Sequence, residues 1–316
     1  MRTRRRGFVL GLVVAFVVVA FGVAVPVARL SARSTSVVPA PVVADLAYAG
    51  ESRAQALDLW VPTGSPRPYP LVIFVHGGGF SGGDKGAVGS KVGPLLAAGY
   101  AVASVNYRLS GQAGFPAAPR DVKAAVRFLR AGATTYGVDP RRFAAWGESA
   151  GANLAALTGT TGDQRTLLDD PGLGDVTTSA AVQAVVEWYG PIDFAQRESE
   201  LRSGGTDCRT PQLVEAERFT TGYLGQDVDG VPDRAAAANP ISYVRAARSL
   251  PPFSIATGTA DCLVPVAQAQ QLAVALHSAG ALVDLRLLRG AVHADPLFDR
   301  EVLPSTIAWL NGVLRR

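Results

Sequence analysis

Short, fully apolar runs alternate with longer stretches of helical spacing along most of the chain. A continuous apolar run of this kind is typical of a strand that is buried on both faces, as in a parallel sheet. Such runs predict strands at residues 71–75, 100–107, 143–146, 182–189, 253–257 and 282–288. The segments between them are long enough for the crossover connections that parallel neighbours require.

Several of these intervening segments carry the apolar spacing of helices. In residues 116–131, Val122, Val126 and Leu129 share one face, and prolines lie near the start. Further helices are predicted at residues 91–99, 266–280 and 296–314, and another begins directly after Ser149. The repeated strand–helix order predicts an α/β fold with a mostly parallel sheet of about eight strands and helices on both faces.

Two strand-like runs precede this alternation, at residues 42–48 and 56–61. The second alternates apolar and polar positions, which predicts a half-buried antiparallel strand at the edge of the sheet. Further along, Asp139-Pro140 predicts a turn before the strand at residues 143–146.

The N-terminus has the pattern of a membrane-targeting segment. Arginines cluster at residues 2–6, and residues 7–25 form an uninterrupted apolar run of nineteen. This length suits a membrane span and exceeds the usual core of a signal peptide. We therefore expect residues 1–30 to be an uncleaved anchor, with a cleaved signal as the alternative, and the rest of the chain to be exported in both cases. A linker at residues 31–41 would lead to the main domain at residues 42–316.

The net charge of +4 is unevenly distributed. Six arginines precede Asp45, the first acidic residue, and without them the remainder of the chain carries −2. The basic balance therefore belongs to the N-terminus and gives no support for nucleic-acid binding.

Residues 196–238 interrupt the strand–helix alternation. The segment is polar and too long for a simple loop, so it predicts a small cap-like insertion that folds over the sheet edge. It contains Cys208, and the only other cysteine is Cys262. Export permits a disulfide between them, which would stabilise the fold by about 4 kcal/mol; the alternative is two unrelated thiols.

A nucleophile-elbow pattern, Gly147-Glu-Ser-Ala-Gly151, joins the strand at residues 143–146 directly to an alanine-rich helix. Small residues allow this sharp turn and leave the hydroxyl of Ser149 exposed at its tip. A second G-x-S-x-G match places Ser81 before glycines that start a helix poorly. The strand-to-helix context therefore selects Ser149.

A serine hydroxyl needs a base, usually histidine, to act as a nucleophile. The chain has three histidines. His76 lies in a glycine-rich turn, and His277 lies within the predicted helix at residues 266–280, where a structural role is expected. His293 follows the strand at residues 282–288, at the sheet edge where Ser149 also lies, and is the predicted base.

The base needs an orienting carboxylate from another strand end. Asp261 follows the strand at residues 253–257 and is the predicted acid, with Asp193 as its rival. Asp284 lies within a strand, and Asp295 is too close to His293 along the chain. Glu148 points away from the base in an elbow and is expected at the surface or in a supporting position.

Consecutive glycines follow the strand at residues 71–75, in His76-Gly77-Gly78-Gly79. Glycine lets the backbone direct its N–H groups toward one point without an obstructing side chain. We predict that the N–H groups of Gly77, Gly78 and Ala150 form an oxyanion hole. No set of clustered metal ligands is visible, and the predicted chemistry needs neither a metal nor an organic cofactor.

In this order, the glycine turn, the elbow, Asp261 and His293 resemble the α/β-hydrolase fold, and in particular its H-G-G-G esterase branch, the hormone-sensitive-lipase-like enzymes. Further stretches resemble the feruloyl and acetylxylan esterase-like subgroup, BD-FAE. They are residues 57–62, 105–109, 115–116, 121–123 and 188–193. The likeness covers residues 42–316. One departure is Ala291-Val292 before His293, where the family often has glycine.

The resemblance implies a Ser149–His293–Asp261 triad that hydrolyses a small-molecule ester, with short acyl chains preferred, and it argues against Asp193 as the acid. An amidase or peptidase on the same fold remains an alternative, because the leaving group is not encoded in these motifs. A non-catalytic binding domain on a membrane stalk is the alternative from another class. The sequence leaves the oligomeric state open.

Overall fold

The computed structural model describes residues 38–162, 164–203, 208 and 210–315. The predicted anchor at residues 1–30 lies outside this part of the chain. Within the described part, no helix is both long and apolar enough to cross a lipid bilayer.

The centre of the molecule is one eight-stranded sheet with the order β1-β2-β4-β3-β5-β6-β7-β8. The strands are β1 (Val43–Ala47), β2 (Ala56–Trp60), β3 (Tyr69–Val75), β4 (Ala101–Val105), β5 (Val138–Glu148), β6 (Ala184–Trp188), β7 (Phe253–Gly258) and β8 (Val283–Leu288). β1 and β2 run antiparallel to their neighbours, and the six others are parallel. The predicted mostly parallel sheet is confirmed.

Helices cover both faces of this sheet, as the alternation predicts. The helices are α1 (Gly89–Ala97), α2 (Ala117–Ala131), α3 (Ala133–Tyr136), α4 (Ala150–Thr161), α5 (Phe194–Ser203), α6 (Thr210–Leu224), α7 (Pro232–Ala237), α8 (Ile241–Val244), α9 (Val266–Ser278) and α10 (Leu303–Leu314). A π-helical segment, Phe298–Val302, precedes α10. The apolar core on one face contains residues of α2, α4 and α9, and the core on the other contains residues of α1 and α10.

Helix α4 occupies the centre of the first face, and all twelve of its residues are buried. Its alanines, glycines and threonines permit close approach to the sheet on one side and to α2 and α8 on the other. This explains why the sequence after Ser149 lacks the polar stripe of a surface helix.

Two sequence predictions are wrong in detail. β2 is not an edge strand, because β1 pairs outside it, and all five of its residues are buried. Asp139-Pro140 does not form a separate turn, because β5 already begins at Val138, whose partner is Tyr69 of β3. A register shift between Tyr69 and Leu71 accommodates the extra residues of β5.

The described part of residues 196–238 is mostly helical, although its polar sequence interrupts the predicted strand–helix alternation. It contains most of α5, then α6, a short 3₁₀ turn and α7. Its buried side chains, among them Tyr223 and Leu224, pack with Phe80 and with Leu154 of α4 in a third apolar cluster. The insertion therefore lies beside the glycine-rich turn and the start of α4.

Candidate active site

Ser149 lies at a sharp turn between the last residue of β5 and the first residue of α4. Its backbone has φ +53° and ψ −122°, a strained conformation for a residue other than glycine. A Cβ atom at Gly147 would lie 2.0 Å from the carbonyl oxygen of Gly151, and one at Gly151 would lie 2.1 Å from that of Val75. Both glycines of the motif are therefore required by close packing of the turn.

The structure places the three predicted triad residues in one chain of hydrogen bonds. His293 Nε2 lies 2.8 Å from Ser149 Oγ, and His293 Nδ1 lies 2.7 Å from Asp261 Oδ2. The other carboxylate oxygen of Asp261 accepts from the backbone N–H groups of Leu263 at 2.8 Å and Val264 at 2.9 Å. Because the Asp261 side chain is fully buried and held on both oxygens, it fixes the orientation of the imidazole.

The rival carboxylates have local roles instead. Asp193 Oδ1 accepts from the N–H groups of Ala195 and Gln196 at the start of α5. Asp284 pairs with Arg286 on the same strand, and Asp295 accepts from the N–H of Leu297. Among the carboxylates of the described residues, Asp261 is the one that is hydrogen-bonded to His293.

Of the other two histidines, His76 is buried and stacks on the ring of Tyr107 at a centroid distance of 4.4 Å. Its Nδ1 lies 2.7 Å from the carbonyl oxygen of Gly77, and burial lowers its pKa. His277 lies in the last turn of α9. Neither histidine is hydrogen-bonded to Ser149, so the structure gives neither of them a place in the triad.

The glycine-rich turn lies directly against the elbow. A Cβ atom at Gly77 would come within 2.9 Å of the Glu148 carbonyl oxygen and 3.0 Å of Ser149 Cβ. Gly78 has φ +108°, and a Cβ atom there would lie 2.2 Å from the carbonyl oxygen of Gly82. Gly77, Gly78 and Ala150 line the same cavity as Ser149, so their backbone lies beside the predicted nucleophile.

The second G-x-S-x-G match belongs to this turn. The N–H groups of Ser81 and Gly82 both donate to the carbonyl oxygen of Gly78, at 3.1 and 2.9 Å. Ser81 is exposed and is absent from the cavity wall. The match therefore reflects the tight turn that shapes the glycine-rich loop.

A cavity of about 430 Å³ opens at Ser149 and His293, a size common for small-molecule sites. Most of its wall is apolar. Prominent apolar residues are Phe80, Tyr189, Ala216, Phe219, Leu263 and Val264. The insertion contributes Ala216 and Phe219 from α6, and the ring of Phe219 packs over Gly79, so a Cβ atom there would lie 2.4 Å from it.

The two cysteines form a disulfide between Cys208 and Cys262. Cys208 lies between α5 and α6, and Cys262 directly follows the triad residue Asp261. The predicted bridge is therefore present, and it ties the cap-like insertion to the loop that carries the carboxylate.

An ion-pair network beside the triad was not predicted. Lys91 of α1 contacts Glu148 at 2.8 Å and Asp299 at 2.9 Å. Of the two positions expected for Glu148, the structure shows the supporting one, because its side chain is 16% exposed, pairs with Lys91 and lines the cavity. Burial raises the pKa of Glu148, and the nearby Lys91 opposes that rise. The only sequence signal was a lysine beside Val92 in a helix with a buried face.

Among the described residues, no three His, Cys, Asp or Glu side chains are grouped as ligands for a metal ion. The polar or charged side chains in the cavity wall include those of Ser149, His293, Glu148 and Arg197. This arrangement can transfer a proton from Ser149 to His293 beside an apolar cavity.

A largely parallel sheet between helices, with a serine at a strained strand-to-helix turn beside a histidine and an aspartate, defines the α/β hydrolases. The sequence profile of the BD-FAE family matches residues 57–276. The chain therefore belongs to that family, within the H-G-G-G branch that its motifs resemble, and the resemblance is confirmed.

Two mycobacterial esterases are similar over most of the chain. The chain is 32% identical over 253 residues to Esterase LipC of Mycobacterium tuberculosis, covering 79% of this chain and 59% of that protein. It is 33% identical over 254 residues to Esterase LipQ of the same organism, covering 79% and 56%. The chain thus spans little more than half the length of these relatives.

Among solved structures, a truncated form of a carbohydrate esterase from gut microbiota superposes with a TM-score of 0.73. It shares 29% sequence identity, and the match covers 87% of this chain and 96% of that one. The eight-stranded sheet and its covering helices are therefore also the fold of that esterase.

Proposed function

We propose that the protein is a serine hydrolase that cleaves carboxylic esters. The observation that carries this proposal is the hydrogen-bonded chain Asp261–His293–Ser149, which ends at an apolar cavity of about 430 Å³. The names of its relatives, Esterase LipC and Esterase LipQ, support the same class of reaction.

In the proposed mechanism, His293 removes the proton of Ser149 as Oγ attacks the ester carbonyl. The negative charge that develops on the carbonyl oxygen is stabilised by the N–H groups of Gly77, Gly78 and Ala150. The protonated His293 then donates its proton to the leaving alcohol. Water, activated by the same histidine, hydrolyses the acyl-enzyme and regenerates Ser149.

The proposed substrates are esters of short acyl or aryl acids. The cavity is mainly apolar, and Phe219 closes it against Gly79, which limits the room for a long chain. Replacing Phe219 with alanine should shift the preference toward longer acyl chains. Val214, exposed on the same helix, provides a matched alanine variant that should leave the preference unchanged.

Covalent labelling with a fluorophosphonate tests the mechanism. We expect one label per chain, located on Ser149 by peptide mass analysis and absent from Ser149→Ala. A folded wild-type protein that resists labelling would contradict the proposal and favour a non-catalytic binding domain.

A substrate panel then separates esterase from amidase. We expect p-nitrophenyl acetate, propionate and butyrate to be hydrolysed faster than longer esters and faster than aminoacyl anilides. Acetylated xylan belongs in the panel because a structural relative is a carbohydrate esterase. Faster turnover of the anilides would favour the amidase or peptidase alternative.

A further inference from the structure

We infer that Lys91 is a positioning residue that keeps Ser149 and His293 in their relative positions. This inference rests on the proposed function. Lys91 lies in α1, and its side chain is only 5% exposed. Burying an ammonium group costs several kcal/mol unless it is paired. The partners of Lys91 therefore indicate which segments it stabilises.

The ammonium joins the two sides of the triad. Lys91 Nζ lies 2.8 Å from Oε1 of Glu148, the residue before Ser149. It also lies 2.9 Å from Oδ1 of Asp299, in the π-helical segment that follows the His293 loop. The neighbouring Ser90 donates to the other oxygen of Asp299 at 2.6 Å. One helix end thus binds both the strand of the nucleophile and the segment beyond the base.

The surroundings of Lys91 keep its charge in place. The rings of Phe74 and Trp188 lie 5.8 and 5.5 Å from Nζ. Burial alone would lower the pKa of Lys91, but attraction and hydrogen bonds from Glu148 and Asp299 outweigh burial and raise it. The ammonium therefore stays protonated, and water screens its ion pair with the largely buried Glu148 less than its pair with the partly exposed Asp299.

Tyr189 extends this network to the base itself. Tyr189 follows Trp188, whose carbonyl oxygen accepts from the N–H of Ser149 at 2.9 Å. The ring of Tyr189 packs edge to face against His293 at 5.0 Å and against Phe298 at 4.5 Å between centroids. Tyr189 has φ +46°, which persists only where surrounding contacts hold it. A shift of Glu148 would therefore be felt at both Ser149 and His293.

Loss of the ammonium would leave Glu148 and Asp299 without the cation that links them. The elbow and the His293 segment could then shift relative to each other, and a misplacement of about 1 Å can reduce a rate about 100-fold. Phe80 and Phe219, which form part of the cavity wall, lie after Gly79 and in α6, on other segments than Lys91 and its two partners. Turnover should therefore suffer while substrate binding is retained.

The test is Lys91→Met, with kcat and KM measured on p-nitrophenyl acetate and the rate of fluorophosphonate labelling of Ser149 measured in parallel. We expect kcat and the labelling rate to fall about 10- to 100-fold, with KM changed less than about twofold.

Lys85→Met is the matched control. Lys85 also bridges two carboxylates, Asp45 and Asp58, each at 2.9 Å, but these lie at β1 and β2, away from the triad. This variant should lower the melting temperature and leave kcat unchanged. An equal loss of kcat in both lysine variants would show that Lys91 acts only through general stability and would overturn the inference.

Asp299→Asn decides the matter if Lys91→Met does not fold. Its side chain is 42% exposed, so the change should be tolerated, and it weakens only the base-side contact. We expect kcat to fall about 3- to 10-fold with KM unchanged, and wild-type kcat would overturn the inference. A wild-type protein that is not labelled at Ser149 would instead contradict the proposed function itself.

Discussion

Gly78 is the residue at which the proposed oxyanion hole depends most directly on a missing side chain. Its φ of +108° is unfavourable for other residues, and any Cβ atom would meet the Gly82 carbonyl oxygen at 2.2 Å. In Gly78→Ala, the loop must shift and its N–H donors move. Because one lost oxyanion donor typically costs about 3 kcal/mol, we expect kcat to fall at least about 100-fold.

Gly82→Ala serves as the control for that experiment. The nearest atom to a Cβ atom at Gly82 is 3.8 Å away, so the added methyl group should be accommodated. Near wild-type kcat is expected for this variant. If Gly78→Ala were equally active, the glycine-rich turn would not supply the oxyanion donors.

Glu187 predicts a pH dependence of stability that is separate from catalysis. Its carboxyl group is fully buried on β6, and one oxygen accepts from the N–H of Gly190, while the other has no hydrogen-bond partner among the described residues. Burial raises the pKa of Glu187 from 4.5 to about 8. The folded protein therefore retains a proton that the unfolded chain releases, so stability falls as pH rises through this interval.

In Glu187→Gln this dependence should disappear. The wild-type protein should lose about 3 kcal/mol more unfolding free energy than the variant between pH 5 and pH 8. Urea denaturation at the two pH values measures the difference. Glu217→Gln, at an exposed position of α6, should follow the wild type. Parallel pH dependence in wild type and Glu187→Gln would show that the carboxyl group is not protonated in the folded state.

At the scale of elements, the disulfide covalently links the insertion to the loop that carries Asp261. The bridge joins cysteines 54 residues apart. Opening a loop of this length is expected to lower the unfolding free energy by about 4 kcal/mol in the loop-entropy model. Because Cys262 adjoins Asp261, reduction should also loosen the carboxylate and lower kcat.

Thermal melting and esterase assays with and without reductant test this coupling. The double variant Cys208→Ser with Cys262→Ser should resemble the reduced protein and respond no further to reductant. Unchanged melting temperature and activity, with thiol titration showing that the bridge is open, would refute the coupling.

The strands of the parallel core and the triad could be predicted because their signals are local. Apolar runs mark the buried strands, and the predicted helix at residues 116–131 differs from α2, Ala117–Ala131, by a single residue. Ser149 and His293 each lie within five residues of the end of a predicted strand. These features can be recognised without knowing which distant residues pack against them.

Other features depended on contacts between distant segments, and the sequence did not reveal them. β2 is buried because β1 pairs outside it. Lys91 meets Glu148 and Asp299 only after three separate segments pack together. Helices α5 and α6 have polar sequences, so their periodicity is weak, and tertiary packing against Phe80 determines their place.

At the scale of the whole molecule, we propose that residues 1–30 anchor the protein to a membrane with residues 42–316 outside the cytoplasm. The support is the arginine cluster followed by nineteen apolar residues. We expect the full chain to remain in the membrane fraction after an alkaline carbonate wash.

Deletion of residues 1–30 should release the remaining chain without loss of specific activity, because the triad and the cavity lie within residues 77–294. The mass of the protein recovered from cells distinguishes the alternatives. A shortened chain in the medium would favour a cleaved signal over an anchor.

The contact between Gly79 and Phe219 has a consequence for how relatives of this protein can diverge. The aromatic ring occupies the space that a side chain at position 79 would need. Residues in such direct contact are expected to covary. Lineages with a smaller residue at position 219 are thus free to acquire a residue that tolerates the left-handed conformation, such as asparagine, at position 79. The change at position 219 alone would leave a hole, and the change at position 79 alone would produce a clash. Diversification of substrate choice and of the oxyanion loop should therefore proceed in paired steps.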